Sequence, residues 1–357
     1  MTFTSLFRNP FVIFSKKREP ALDLFKLFAL LFVILDHSLQ RWIDNSQTTQ
    51  LYNFIFLFQM PAFMFASGYF ALKRLYKMPD LTARSRIIYL AKRVIGLFIP
   101  FLSFALFKSI IINDYSYISY CILFPQRSLW FLWSLMWMEI IIFLSQVLSL
   151  VIKKNGFLSF ALSIVFFLIF LSPFLILFLS KKPDLFDSKL ICYYSFFFVF
   201  GYLFCFIIER FAFKEKVIAN IIIALFSLVA LILVMIIRPT IIFDEETPLN
   251  LLLRLIGSVG AVLVIYELCF LLSTNSIFCE ISKMGRLSLE FYYIHRLLFL
   301  IPILNYYVNS IFAFIGLYLL VVVASFSLII LLKSFVITDF ICFGKFNFIN
   351  RTEQQKN

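Results

Sequence analysis

The residues of this chain best suited to chemistry lie where ionisable groups are least expected, inside long apolar runs. Asp23, Lys26, Asp36 and His37 fall within one such run, residues 21–41, among Leu, Phe, Val and Ile. On a helix turning 100° per residue, Lys26 and His37 are about 20° apart around the axis, with Asp23 about 40° to the other side of His37. All three therefore share one face, and His37 sits about 16 Å along the axis from Lys26. A charged side chain in hydrocarbon is costly and is a functional candidate by default. A line of such groups is what a transmembrane relay or a reaction channel needs. Plainer readings stand beside it. Asp23 and Lys26 can form an i,i+3 ion pair, Lys26 can snorkel to the headgroups, and His37 can be a buried polar residue near the outer interface.

Glu139, Glu267, Glu290, His295 and Arg296 are further groups of this kind. Glu139 follows the aromatic stretch Ser128-Leu129-Trp130-Phe131-Leu132-Trp133, which fits a binding site or an interfacial aromatic belt. His295 closes the segment Ser288-Leu289-Glu290-Phe291-Tyr292-Tyr293-Ile294-His295, where bundle packing against a neighbouring carboxylate would also satisfy it. The inner loop expected from Lys73 to Arg93 carries seven basic side chains against one acid, Asp80. Topology and anionic lipid explain much of that excess, and such a segment also suits a phosphate-rich ligand such as a coenzyme A. Two distant histidines and six scattered cysteines without CxxC spacing offer no metal site and no disulfide framework.

The elements that position these groups follow from composition. The chain has 357 residues, 62% of them hydrophobic and only 14% charged, against about 45–50% and about 25% in a soluble domain. It must use lipid as its solvent, which leaves helices or a closed barrel. The apolar runs lack period-2 alternation and are about 20 residues long, the length of a membrane-crossing helix. The expected fold is all-α, a polytopic transmembrane bundle of about ten spans. These lie near 21–41, 51–72, 94–112, 129–151, 157–179, 190–208, 217–237, 250–272, 287–306 and 311–333. With the N-terminus inside, the inner segments hold 22 Lys and Arg and the outer ones six. The positive-inside rule then puts both termini in the cytoplasm. This asymmetry accounts for the net charge of +13, so that charge is no argument for nucleic-acid binding. No cleavable signal peptide is evident, because the first apolar run carries charges and lacks a small-residue cleavage site after it.

Five segments, in order, resemble the acyltransferase-3 family of membrane-bound O-acyltransferases. Lys26 followed after ten residues by His37-Ser38 is similar to the basic-x10-His signature of its first helix. Phe58-Gln59-Met60-Pro61 running to Ser67-Gly68-Tyr69 resembles its Met-Pro…Ser-Gly-Tyr/Phe helix. Lys92-Arg93 with Pro100-Phe101 resembles the basic cluster and proline that open its third helix. Leu129-Trp130-Phe131-Leu132 is similar to its Trp-Phe-Leu helix, and Gly285-Arg286-Leu287-Ser288 to Tyr293-Ile294-His295 resembles its late Gly-x-x-Ser…Tyr-x-x-His helix. The chain departs from the pattern at Lys26, where Arg is common, at Asp36, where a small residue is usual, and at Gly96, in place of a second arginine.

The resemblance implies a transmembrane acyltransferase domain over 21–333, a cytoplasmic N-terminal segment 1–20 and a cytoplasmic tail 334–357. It also implies acetyl transfer from acetyl-CoA to a hydroxyl of an envelope carbohydrate (O-antigen, capsule, exopolysaccharide or a lipid-linked precursor) at a bacterial inner membrane. An alcohol attacking a thioester needs a base, and an imidazole, which titrates near neutrality, suits that role. His37 is the candidate base or transient acyl carrier, and Asp36 could orient its ring only where the backbone is locally non-helical. Asp23 is expected to hold Lys26, and Lys26 to stabilise charge on the donor side. Lys92, Arg93, Ser67, Trp130, Glu139 and His295 are the candidates for donor or substrate binding. Acyl-CoA, a glycan acceptor and the bilayer are the expected partners, with no metal, no nucleic acid and an open oligomeric state. A transporter or flippase would use the same intramembrane charges without covalent chemistry. The other alternative is an assembly subunit of an envelope-polysaccharide complex that has lost activity, against which the full set Lys26, His37, Ser67, Gly68 and His295 argues. Acetyl-CoA dependence separates these readings.

Overall fold

The structure, a computed structural model, describes residues 19–152, 156–180, 185–211, 217–238, 247–301, 308 and 310–345. Among them the regular structure is helical, with no strand. The long helices are α1 (Pro20–Trp42), α2 (Gln50–Lys77) and α3 (Ala83–Ile112), with a short α4 (Ser116–Leu123) after them. Then come α5 (Trp130–Ile152), α6 (Phe157–Leu179), α7 (Ser188–Phe211), α8 (Val217–Ile237) and α9 (Pro248–Leu272). The short α10 (Ser276–Ser282) and α11 (Ser288–Leu298) precede α12 (Ile311–Ser334) and α13 (Val336–Phe343).

Eight of these helices are long and apolar enough to cross a membrane. Helix α1 has the length, with 23 residues, but carries Asp23, Lys26, Asp36 and Arg41. The ninth expected span, 287–306, is helical only through Leu298 in α11, which has 11 residues; positions 302–306 lie outside the described residues. So do nearly all of the 1–20 segment, the tail beyond 345, and Lys153, Lys154, Lys181, Lys182, Lys214 and Lys216 of the charge argument.

Helix boundaries follow local chemistry. Pro20 opens α1, where a missing N–H costs nothing. Thr82 caps α3 by accepting from the Ser85 N–H at 3.2 Å, and Asn113 closes it in the left-handed region at φ 55°. That cap lies well before the third expected span, 94–112, because the helix begins outside the apolar run. Most of the stretch read as a basic loop is therefore helix, and Arg74 and Arg93 have fixed positions on α2 and α3.

The described residues form two compact units. The first takes in Phe70–Phe196 and the residues from Ile329 onward, and the second takes in Phe197–Leu328 and the residues up to Tyr69. In the first unit the C-terminal helix α13 packs on α3 where two glycines meet. A Cβ on Gly344 would lie 2.7 Å from the Gly96 Cα, whereas one on Gly96 would meet only the Gly344 carbonyl oxygen, at an ordinary 3.6 Å, so the close approach asks for glycine at 344 and not at 96. In the second unit α2 and α7 cross with similar closeness. A Cβ on Gly68 would fall 1.8 Å from the Phe198 carbonyl oxygen, and one on Gly201 would fall 1.9 Å from that of Phe65. Apolar burial is a weak drive between helices in lipid, so small residues that let backbones approach set such crossings.

Candidate functional site

The second unit brings the two histidines together. Their rings lie 5.5 Å apart between centroids and 22° from parallel, His37 from α1 and His295 from α11. His295 is fully buried, and its Nδ1 lies 2.7 Å from the Phe291 carbonyl oxygen one turn back on the same helix. That contact needs a proton on Nδ1, which makes Nε2 an acceptor; Nε2 is buried with no partner among the described residues. The His37 side chain is 23% exposed, so of the two rings it offers surface to a ligand. Nη1 of Arg296 stands 3.5 Å from His37 Nδ1 and 3.4 Å from Nε2. A directed hydrogen bond would be about 2.7–3.2 Å to one nitrogen. The guanidinium is thus a charge beside the imidazole rather than a partner of one lone pair. Arg41 donates to the Phe299 carbonyl oxygen close by, and the Trp42 and Phe299 rings, 5.7 Å apart between centroids, supply an aromatic wall.

Asp36 has other partners than the neighbouring histidine. Helix α1 is continuous through it, and its carboxylate accepts from Gln59 Nε2 and Gln40 Nε2, each at 3.0 Å. Its closest approach to the His37 ring is 4.0 Å, beyond hydrogen-bond reach. Gln59 belongs to the Phe58-Gln59-Met60-Pro61 segment of α2, so the pair ties α1 to α2 one residue before His37. Further along α2, Ser67 Oγ donates to the Phe63 carbonyl oxygen at 2.8 Å, a bond within its own helix.

At the other end of α1, Asp23 is wholly buried between two cations. Lys26 Nζ is 2.8 Å from Oδ1 and Arg286 Nε is 3.0 Å from Oδ2. Gly285 makes the second contact feasible, since a Cβ there would sit 1.8 Å from the Asp23 carbonyl oxygen. Lys26 is thus held at Asp23, and the cation that stands beside His37 is Arg296.

The first unit holds Glu139, which binds Arg74 Nη1 at 2.6 Å and Arg93 Nε at 3.0 Å. Arg74 also donates to the Tyr89 hydroxyl at 2.9 Å. Buried charges must be paired and hydrogen-bonded to be tolerated, and Glu139 meets that condition with both oxygens. Lys92, one residue before Arg93, is half-buried. Trp130 stacks on Tyr194 with centroids 5.0 Å apart, and Trp133 Nε1 donates to the Phe186 carbonyl oxygen at 3.2 Å. No group of three or more His, Cys, Asp or Glu able to hold a metal occurs among the described residues.

Sequence spacing thus names His37, His295, Asp23 and Lys26 but assigns no part to Arg286, Gln59, Gln40 or Arg74. Two of these lie in segments that carry the family resemblance, Gln59 before Met60-Pro61 and Arg286 after Gly285, and that membership is the available signal.

Helices of spanning length and ionised clusters held inside them define a polytopic membrane protein of the helical type. The family model described as an acyltransferase domain, acyltransferase-3, matches residues 19–333. The chain belongs to the acyltransferase-3 family and is an integral membrane acyltransferase. Comparison with curated proteins and with solved structures gave no match.

Proposed function

We propose that this protein transfers an acetyl group from cytoplasmic acetyl-CoA to a hydroxyl of a cell-envelope carbohydrate (O-antigen, capsule or exopolysaccharide) at a bacterial inner membrane. The observation that carries the reading is the partly exposed His37 ring, set against the buried His295 and beside the Arg296 guanidinium. An imidazole with an accessible face can take the proton of an attacking hydroxyl or accept the acyl group itself. His295, anchored through Nδ1, backs the His37 ring and limits its tilt. In the first unit, Lys92 and Arg93 are the basic groups suited to the donor's phosphates, with Glu139 fixing the Arg93 side chain.

The test is acyl transfer itself. Membranes carrying the protein, given acetyl-CoA labelled in the acetyl group, are expected to form labelled glycan ester. Transport of an intact glycan with no ester formed would refute the reading in favour of a flippase.

A further inference from the structure

Arg296 is the cation nearest His37, and neither the family signature nor the reading above gives it a task. Its Nη1 stands 3.4 and 3.5 Å from the two ring nitrogens, and no carboxylate pairs with it at salt-bridge distance among the described residues. Asp36, the acid within its electrostatic reach, is engaged by the amides of Gln40 and Gln59. Arg41, the second guanidinium acting on His37, is bonded to the Phe299 carbonyl. An arginine with no carboxylate at salt-bridge distance among the described residues, inside a membrane-embedded bundle, is costly. Lys26, by contrast, has Asp23 at 2.8 Å and lies about 16 Å down the helix from His37.

We propose that Arg296 is a catalytic residue of the acyl transfer, stabilising the negative charge that forms on the thioester carbonyl oxygen. This rests on the reading of His37 as the base. The acceptor oxygen attacks the thioester carbon and forms the new C–O bond while His37 takes the hydroxyl proton. The carbonyl π pair moves onto oxygen, which becomes an oxyanion. Its collapse restores C=O and breaks C–S, and the thiolate of coenzyme A leaves and recovers the proton from His37. Acyl-thioester and alcohol become ester and thiol, with nothing else consumed. At the midpoint the imidazolium and the Arg296 guanidinium are like charges in near contact, and an oxyanion shared between them removes the repulsion. The donors of Arg296 that do not face His37 are the ones available to that oxygen. Because Nη1 favours neither ring nitrogen, it leaves the base's lone pair free for the proton.

The experiment measures initial rates of labelled acetyl transfer from acetyl-CoA to the membranes' own glycan, for full-length wild type, Arg296→Met, Arg296→Lys and His37→Ala, each normalised to folded protein by gel filtration. Loss of one oxyanion donor is expected to lower kcat about 100-fold in Arg296→Met, with KM for acetyl-CoA nearly unchanged. Added guanidinium chloride, below denaturing concentration, is expected to restore part of that rate and to leave His37→Ala inactive. Arg296→Lys, which keeps charge and loses the planar fork, is expected to fall between wild type and Arg296→Met. The proposal is overturned if Arg296→Met keeps kcat within about threefold of wild type, if its loss lies in KM alone, or if guanidinium restores nothing. An active His37→Ala would instead overturn the reading of His37 on which the proposal stands, and an inactive His37→Ala beside a fully active Arg296→Met would remove the Arg296 role alone.

Discussion

Gly285 and Asp23 meet backbone to backbone. A Cβ on Gly285 would lie 1.8 Å from the Asp23 carbonyl oxygen, and the next residue, Arg286, reaches the Asp23 carboxylate at 3.0 Å. The absent side chain and the ion pair are one construction: the short helical turn 283–287 can carry Arg286 to α1 only because residue 285 has no Cβ. Gly285→Ala is therefore expected to force the two segments apart, at about 1–3 kcal/mol as for other overpacked contacts. A lowered thermal midpoint in detergent would show it, while an unchanged midpoint would mean the approach is looser than these distances.

The same cluster makes two substitutions unequal. Asp23→Asn removes the buried carboxylate that both Lys26 and Arg286 contact, a loss of up to about 3–5 kcal/mol by analogy with broken buried pairs. Lys26→Met leaves Asp23 paired with Arg286 and is expected to cost less. Folded yields measured by gel filtration should therefore rank wild type above Lys26→Met and Lys26→Met above Asp23→Asn. The reverse order for the two variants would contradict a shared carboxylate.

In the first unit, Glu139→Gln removes the buried charge that pairs with Arg74 and with Arg93. The expected loss is again about 3–5 kcal/mol, because an uncompensated guanidinium is left inside the protein. Adding Arg74→Met to Glu139→Gln should recover part of it, since the orphaned charge goes too. Thermal unfolding of the single and double variants checks this. A double variant less stable than Glu139→Gln would show that Arg74 is held by more than Glu139.

How much of this was legible depended on which physics was local. The helical class follows from apolar runs too long and too even for strands, and the shared face of Asp23, Lys26 and His37 follows from helix periodicity. The partners of those residues did not follow. Arg286 is 263 positions from Asp23 and Arg296 is 259 from His37, and no periodicity relates residues on different helices. Reading 73–93 as a loop hid the Glu139 cluster, because α2 and α3 continue past the apolar runs on which span boundaries are judged. The contact of Gly344 with Gly96, where a Cβ on residue 344 would lie 2.7 Å from the Gly96 Cα, joins distant positions and shows only in the folded chain.

The crossing of α2 and α7 gives a further check on the fold. Gly68→Leu or Gly201→Leu would drive a side chain into a carbonyl of the facing helix, and each is expected to abolish folded protein, whereas Ser67→Ala, losing one bond within its own helix, should cost about 1 kcal/mol or less. Yield by gel filtration separates the two outcomes, and well-folded leucine variants would refute the close crossing.

The central claim is that His37 carries the acyl chemistry. Its most direct test is the acetyl ester content of surface polysaccharide, by proton NMR, in a deletion strain complemented with wild type or with His37→Ala at equal membrane levels. The account predicts that wild type restores the ester and His37→Ala does not. Full acetylation by a stably expressed His37→Ala protein would contradict it.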